Sequence, residues 1–159
     1  MSDKYQQFQE ALGLIFNDQE LLEQAFTHRS YINENKGAEL AHNERLEFLG
    51  DAVLELVVTD FLFKKYSTVP EGTLTAYRSA LVRTESISAA ARKMGMNDLL
   101  KLSKGEARDE GKARDYILAN TFEAFIGAVY LDLGYDAAND VITHNLTETI
   151  ETIVDSSRV

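Results

Sequence analysis

The sequence predicts an all-α domain, and three observations carry that reading. Apolar residues recur at three- and four-residue spacing along nearly the whole chain, β-branched alternation is scarce, and a single proline, Pro70, interrupts 159 residues. The length suits one domain with a real core, and a hydrophobic content of 45% is ordinary for a globular protein. Residues 1–154 read as that domain and 155–159 as a tail or the start of a linker.

Each element follows from its pattern. Residues 5–14 form a short helix ending near Gly13. Asp18 caps a helix through 26, with Leu21, Leu22 and Phe26 inward. Thr27-His28-Arg29-Ser30 follows, and residues 32–41 read as a polar loop or frayed turn. A long helix spans about 43–66. Residues 67–72 make a turn around Pro70, and Thr73 caps a helix over 74–82. Another helix covers 85–94 and stops at Gly95, and 98–103 is a brief turn or helix. Residues 104–113 are charged and glycine-containing, the internal segment of most mobile character. Long helices over 115–133, stopped at Gly134, and 136–154 complete the chain. Val141, Ile142, Leu146, Ile150 and Ile153 form the apolar stripe of the last one.

Composition excludes several functions. With no cysteine, disulfides, zinc–thiolate sites and thiol nucleophiles are absent. No apolar run approaches bilayer-spanning length, and the polar N-terminus is not a signal peptide, so the chain reads as cytoplasmic. Twenty-six acidic residues against sixteen Lys and Arg give a net charge of −10 and a pI of about 4.7. That balance argues against a stand-alone nucleic-acid-binding module, whose affinity comes from cations. It argues less against a metal-dependent nuclease, whose acids bind cations that in turn meet the phosphate.

The most informative stretch is His42-Asn43-Glu44-Arg45-Leu46-Glu47-Phe48-Leu49-Gly50-Asp51. With about 100° per residue and Glu44 at zero, Glu47 falls at about 300°, Asp51 at about 340° and Glu55 at about 20°, on one narrow face. Leu46, Leu49, Val53 and Leu56 fall at about 120–200°, which predicts the buried side. Acidic helix faces are most often solvated surface. Two details argue for more here. Gly50 sits mid-helix, where it costs about 1 kcal/mol relative to alanine and marks a close approach by another group. Lys, the usual partner of a solvated acidic face, is missing from this one. Phe48, at about 40°, stands on the acidic side, and an exposed phenylalanine there predicts a covered surface.

The helix over 115–133 echoes this design. With Asn120 at zero, Glu123 falls at about 300° and Gly127 at about 340°, opposite Leu118, Phe122, Phe125 and Val129. If the two faces meet, Glu47, Asp51, Asn120 and Glu123 pool four oxygen side chains, a set suited to Mg²⁺ or Mn²⁺.

The residues 42–57, HNERLEFLGDAVLELV, closely resemble the signature of the ribonuclease III family. AFTHRSY at 25–31, PEGTLTAYRSALV at 70–82 and DYILANTFEAFIGAVYLDLG at 115–134 extend the resemblance in order over about residues 5–150. It implies an all-helical endonuclease domain, a homodimer, and Mg²⁺-dependent cleavage of double-stranded RNA, with Mn²⁺ as substitute. Each subunit of such a dimer cuts one strand, leaving 5′-phosphate and 3′-hydroxyl ends and short 3′ overhangs in RNA processing, ribosomal RNA included. By position, Glu47, Asp51 and Glu123 match acids of the family's metal and catalytic centre. Glu44 matches a further signature acid near the dimer's catalytic valley and substrate, and the resemblance makes it a candidate catalytic residue with Asp51 and Glu123. Phe48 matches the aromatic that family members insert into the partner subunit. His28 and His42 read either as structural, hydrogen-bonding the signature segment, or as substrate contacts. The sequence departs from the family twice: Asn120 stands where an aspartate is usual, and the chain ends about where a linker to a double-stranded-RNA-binding domain would begin.

Three readings stay open at this point: a metal-dependent endoribonuclease; an RNA- or ribosome-associated module on the same fold, which Asn120 favours; and an acidic helical dimerisation module, which leaves the acid ladder unexplained. Arg78, Arg83, Lys101, Lys104, Arg108 and Lys112 are candidate phosphate contacts, with 104–113 as a loop that orders on RNA.

Overall fold

The computed structural model describes residues 3–157. Two long helices, α4 (Glu44–Lys65) and α8 (Lys112–Leu133), pack along much of their length. They run in opposite directions: Leu46 of α4 meets Gly127 of α8, and Gly50 meets Glu123. Around them lie α1 (Asp3–Leu12), α2 (Gln19–Ala25), α3 (Arg29–Glu34), α5 (Glu71–Val82), α6 (Thr84–Lys93), α7 (Lys104–Arg108), α9 (Tyr135–Asn145) and α10 (Ile150–Ser157). Helices α2, α6 and α9 pack on α8, and α5 packs on α4. Among the described residues there is no strand, only one isolated bridge between Thr27 and Lys101. None of their helices is long and apolar enough to cross a membrane.

The core centres on α8, where Leu118, Phe122, Phe125 and Val129 are fully buried as the periodicity predicts. Phe125 stacks with Phe8, Phe16 and Phe26 at centroid distances of 5.3–6.0 Å, tying α1 and α2 to the long helix.

The structure corrects several expected boundaries. Helix α5 begins at Glu71, not behind a Thr73 cap, because the Pro70 carbonyl accepts the first bonds from Thr73 and Leu74. Part of the expected 32–41 loop is helical: His28 caps α3, its Nδ1 accepting from the Ser30 amide at 3.1 Å. The expected mobile segment 104–113 contains α7 and the first residues of α8. Ser103 caps α7 by accepting from the Glu106 amide at 3.2 Å. The buried Arg114 guanidinium then donates to the Glu106 and Ala107 carbonyls and to Asn97 and Glu110. The expected single helix over 136–154 breaks at a 3₁₀ turn, Thr147–Thr149. There Asn145, Thr147 and Thr149 turn side-chain donors onto backbone carbonyls, in competition with the helix. Residues 155–157 continue α10 instead of forming a tail. Residues 158–159 of that expected tail, like Met1 and Ser2 of the polar N-terminus, lie outside the described residues.

The buried arc of α4 also differs from the expected one. Leu46 and Val53 are buried, but Leu49 is half-buried and Leu56 is 56% exposed. The core arc is Leu46, Gly50, Val53, Leu54, Val57, Val58 and Leu62. Helix α4 has two apolar faces: one packs on α8, and Phe48, Leu56 and Phe63 remain exposed on the other.

Candidate active site at the crossing of α4 and α8

Two glycines set the distance between the long helices. A Cβ on Gly50 would stand 1.6 Å from the Glu123 carbonyl oxygen, and one on Gly127 would stand 2.3 Å from the Leu46 carbonyl oxygen. Both obstacles are backbone, so neither can swing aside. The close approach brings the acidic edge of α4 beside the polar positions of α8. The N-terminus of α4 is held there by Asn43, whose amide nitrogen donates to the Ala25 carbonyl at 2.9 Å and whose backbone N–H donates to the Thr27 carbonyl.

Helix α8 is buried from Ile117 to Val129 except at Asn120 and Glu123. Both open onto a cavity of about 510 Å³ that Glu44, Glu47 and Asp51 line from α4, with Phe48 beside them. The four oxygen side chains expected to meet, Glu47, Asp51, Asn120 and Glu123, therefore share one cavity. Glu55, the fourth acid of the α4 ladder, lies outside its lining and pairs with Arg78. Among the described residues, no three acidic or histidine side chains stand close enough together to form a finished ligand shell.

The electrostatics record uncompensated negative charge. The Glu123 carboxyl is pushed up to about 9, first by burial, then by a hydrogen bond its protonated form shares with Asp51, then by the charges of Asp51, Glu47 and Glu55. Burial raises Glu47 as well, with help from Glu44 and Asp51. The carboxylates of Glu47, Asp51 and Glu123 and the amide oxygen of Asn120 are donors that a hard divalent cation would fit.

Sequence reasoning missed Arg29, which lines the cavity and contacts Glu44 at 3.4 Å. The pair is fifteen residues apart and bridges α3 and α4, so no helical periodicity reveals it. His28 lines the same cavity; its Nδ1 bonds Ser30, and burial holds its imidazole below the usual value, partly offset by Glu106. The Nδ1 of His42 accepts from the Glu44 amide at 3.4 Å, consistent with a structural part in the signature segment.

The cationic candidates do not converge. Lys101 is half-buried, paired to Glu23 and placed over the Tyr31 ring. Arg78 donates to Thr59 and Arg83 pairs with Glu85, both away from the acidic cavity. Lys104, Arg108 and Lys112 are exposed on α7 and the start of α8.

Comparison with known proteins supplies the family. Residues 18–150 match the family described as Ribonuclease-III-like. The chain is 47% identical over 139 residues to Ribonuclease 3 of Streptococcus gordonii, covering 87% of this chain and 60% of that protein. It thus spans about 60% of the length of such curated relatives. The nuclease domain of ribonuclease III from Campylobacter jejuni superposes with a TM-score of 0.78 at 36% identity, covering 92% of this chain and 93% of that one. A second structure of that domain, TM-score 0.77 and 37% identity, covers 87% of this chain and 95% of that one. It is described as flexible in a region involved in dimer formation. The match over most of the chain, together with two acid-bearing helices locked at a glycine crossing, places this chain in the ribonuclease III family.

Proposed function

We propose that the crossing of α4 and α8 is the centre of a metal-dependent endoribonuclease that hydrolyses phosphodiester bonds of double-stranded RNA in cytoplasmic RNA processing. The observation that carries this reading is that Asn120 and Glu123 alone interrupt the buried stretch of α8, and both open onto the cavity lined by Glu44, Glu47 and Asp51. Glu47, Asp51, Asn120 and Glu123 would hold Mg²⁺, with Mn²⁺ as substitute. The chemistry supplied at such a site is Lewis acidity toward a phosphoryl oxygen and a lowered pKa for water.

The chain's own groups do the rest. Glu123, whose carboxyl burial and Asp51 hold well above its usual range, would have to give up its proton to act as a ligand. Asn120 adds a neutral carbonyl oxygen where the family resemblance implies an aspartate. Glu44 steadies Arg29 at the rim. His28 caps α3 through its Nδ1, which bonds Ser30. The products are 5′-phosphate and 3′-hydroxyl ends.

The working unit is a homodimer. Phe48 is 84% exposed and shares an apolar face of α4 with Leu56 and Phe63, an arrangement that fits burial against a second copy. Two copies, each cutting one strand, leave short 3′ overhangs. Lys104, Arg108 and Lys112 contact phosphates as an already folded element, not as a loop that orders on RNA.

Asn120 favours a second reading, an RNA-binding or ribosome-associated member of the fold with impaired cleavage. Cleavage of an RNA duplex in Mg²⁺ and Mn²⁺ separates them. The first reading predicts that this chain cuts, that Asn120→Asp cuts faster and that Glu123→Gln does not cut. Cleavage by Asn120→Asp alone, or binding without cleavage by all three, establishes the second.

A further inference from the structure

We propose that Arg29 is a phosphate-binding residue of the acidic cavity, parked on Glu44 in the free protein and transferred to a backbone phosphate when a duplex enters. The inference rests on the double-stranded-RNA reading given above and adds a residue to it.

A phosphodiester approaching this cavity meets Glu44, Glu47 and Asp51. Among the described residues lining it, Arg29 alone carries a permanent positive charge. Its base is fixed: Arg29 is the first residue of α3, directly after the capping His28, whose backbone N–H donates to the Lys101 carbonyl at 3.0 Å. Its head is loosely held. The Arg29 and Glu44 side chains are 66% and 50% exposed, and the single contact of 3.4 Å is long for a charge-assisted bond. Among the described residues, the guanidinium makes no other hydrogen bond.

An exposed ion pair of this kind contributes little net stability, so leaving Glu44 costs little. A phosphate offers two oxygens to the guanidinium fork and makes the stronger, bidentate pair. Transfer also leaves Glu44 as a negative charge beside the cation centre instead of one half-neutralised by arginine. The ligand class is a nucleic-acid backbone phosphate at the cavity rim. Cation binding and phosphate binding then use separate residues of one cavity, Glu123 on one side and Arg29 on the other.

The test is duplex affinity as a function of KCl in Mg²⁺, in a Glu123→Gln background that leaves the RNA uncut. Arg29→Gln is expected to lower the magnitude of the log–log salt slope by about 1 and to weaken binding about tenfold at fixed salt. Arg29→Lys is expected to restore the slope while recovering only part of the affinity, because an ammonium lacks the fork. A role confined to steadying α3 would shift the melting temperature of Arg29→Gln and leave the slope unchanged, and that result overturns the inference. If the parent binds no duplex, the functional reading itself falls and the inference falls with it. Binding by the parent, with Arg29→Gln showing the parent's slope, refutes the inference alone.

Discussion

On α4, Glu44, Glu47 and Asp51 stand along the edge of a helix with two apolar faces, one packed on α8 and one open. On α8, Asn120 and Glu123 interrupt a stretch that is otherwise buried from Ile117 to Val129. Glu44 and Asp51 are exposed and Glu47 is half-buried with its carboxyl raised, whereas Glu123 carries the larger burden of burial and neighbouring charge. The comparison separates two kinds of contribution to one cavity. One helix supplies most of the charge, and the other supplies the carboxyl most strongly displaced by burial and by that charge. Gly50 and Gly127 join the two, since without their close approach each helix has only a polar edge.

Gly50→Ala is the strongest way to break this arrangement. Although alanine favours a helix by about 1 kcal/mol, its methyl group collides with the Glu123 carbonyl. Denaturant unfolding is expected to show a net loss of about 2 kcal/mol, an overpacking cost of about 3 kcal/mol less the helix gain. A variant as stable as the parent would mean that the helices do not meet as described.

The next effect is on pH dependence. The folded-state value of Glu123, about 9, lies above its ordinary carboxyl value of 4.5. The folded metal-free protein therefore binds this proton more tightly than the unfolded chain does. The resulting stability is fully present below pH 4.5 and is lost as pH rises toward and through 9. Thermal melts of the metal-free protein are expected to show this fall, and Glu123→Gln should flatten it. Equal pH profiles for the two proteins would remove the contrast between the helices.

Phe48→Glu should have the smallest effect on the fold, within about 0.5 kcal/mol, since its ring is mostly in solvent in the single chain. Sedimentation should show monomers, and duplex cleavage should be lost. A dimeric Phe48→Glu protein would assign the open face of α4 another purpose.

Much of the site was legible in the sequence because it is local. Glu44, Glu47 and Asp51 fall on one face by helical period alone, Asn120 and Glu123 do likewise, and a mid-helix glycine without a turn to make signals a close neighbour. The open face of α4 was half legible: Phe48 stood out beside the acids, while Leu56 was grouped with the core because a wheel cannot say which of two apolar arcs meets α8. Arg29 was not legible, because its link to Glu44 exists only once α3 and α4 pack. The same holds for α7. Its Ser103–Glu106 cap is a sequence pattern, but the buried Arg114 that holds its end acts through tertiary contacts with Asn97, Glu106 and Ala107.

If α4 and α8 pool their oxygens for one cation, Glu123 is the group that must deprotonate. Calorimetric titration of Mn²⁺ at about pH 7.5, repeated in buffers of different ionisation enthalpy, reads both parts at once. Saturable binding is expected, with about one proton released per protein chain and loss of that released proton in Glu123→Gln. No binding, or an equal proton release from Glu123→Gln, would contradict a shared cation centre gated by Glu123.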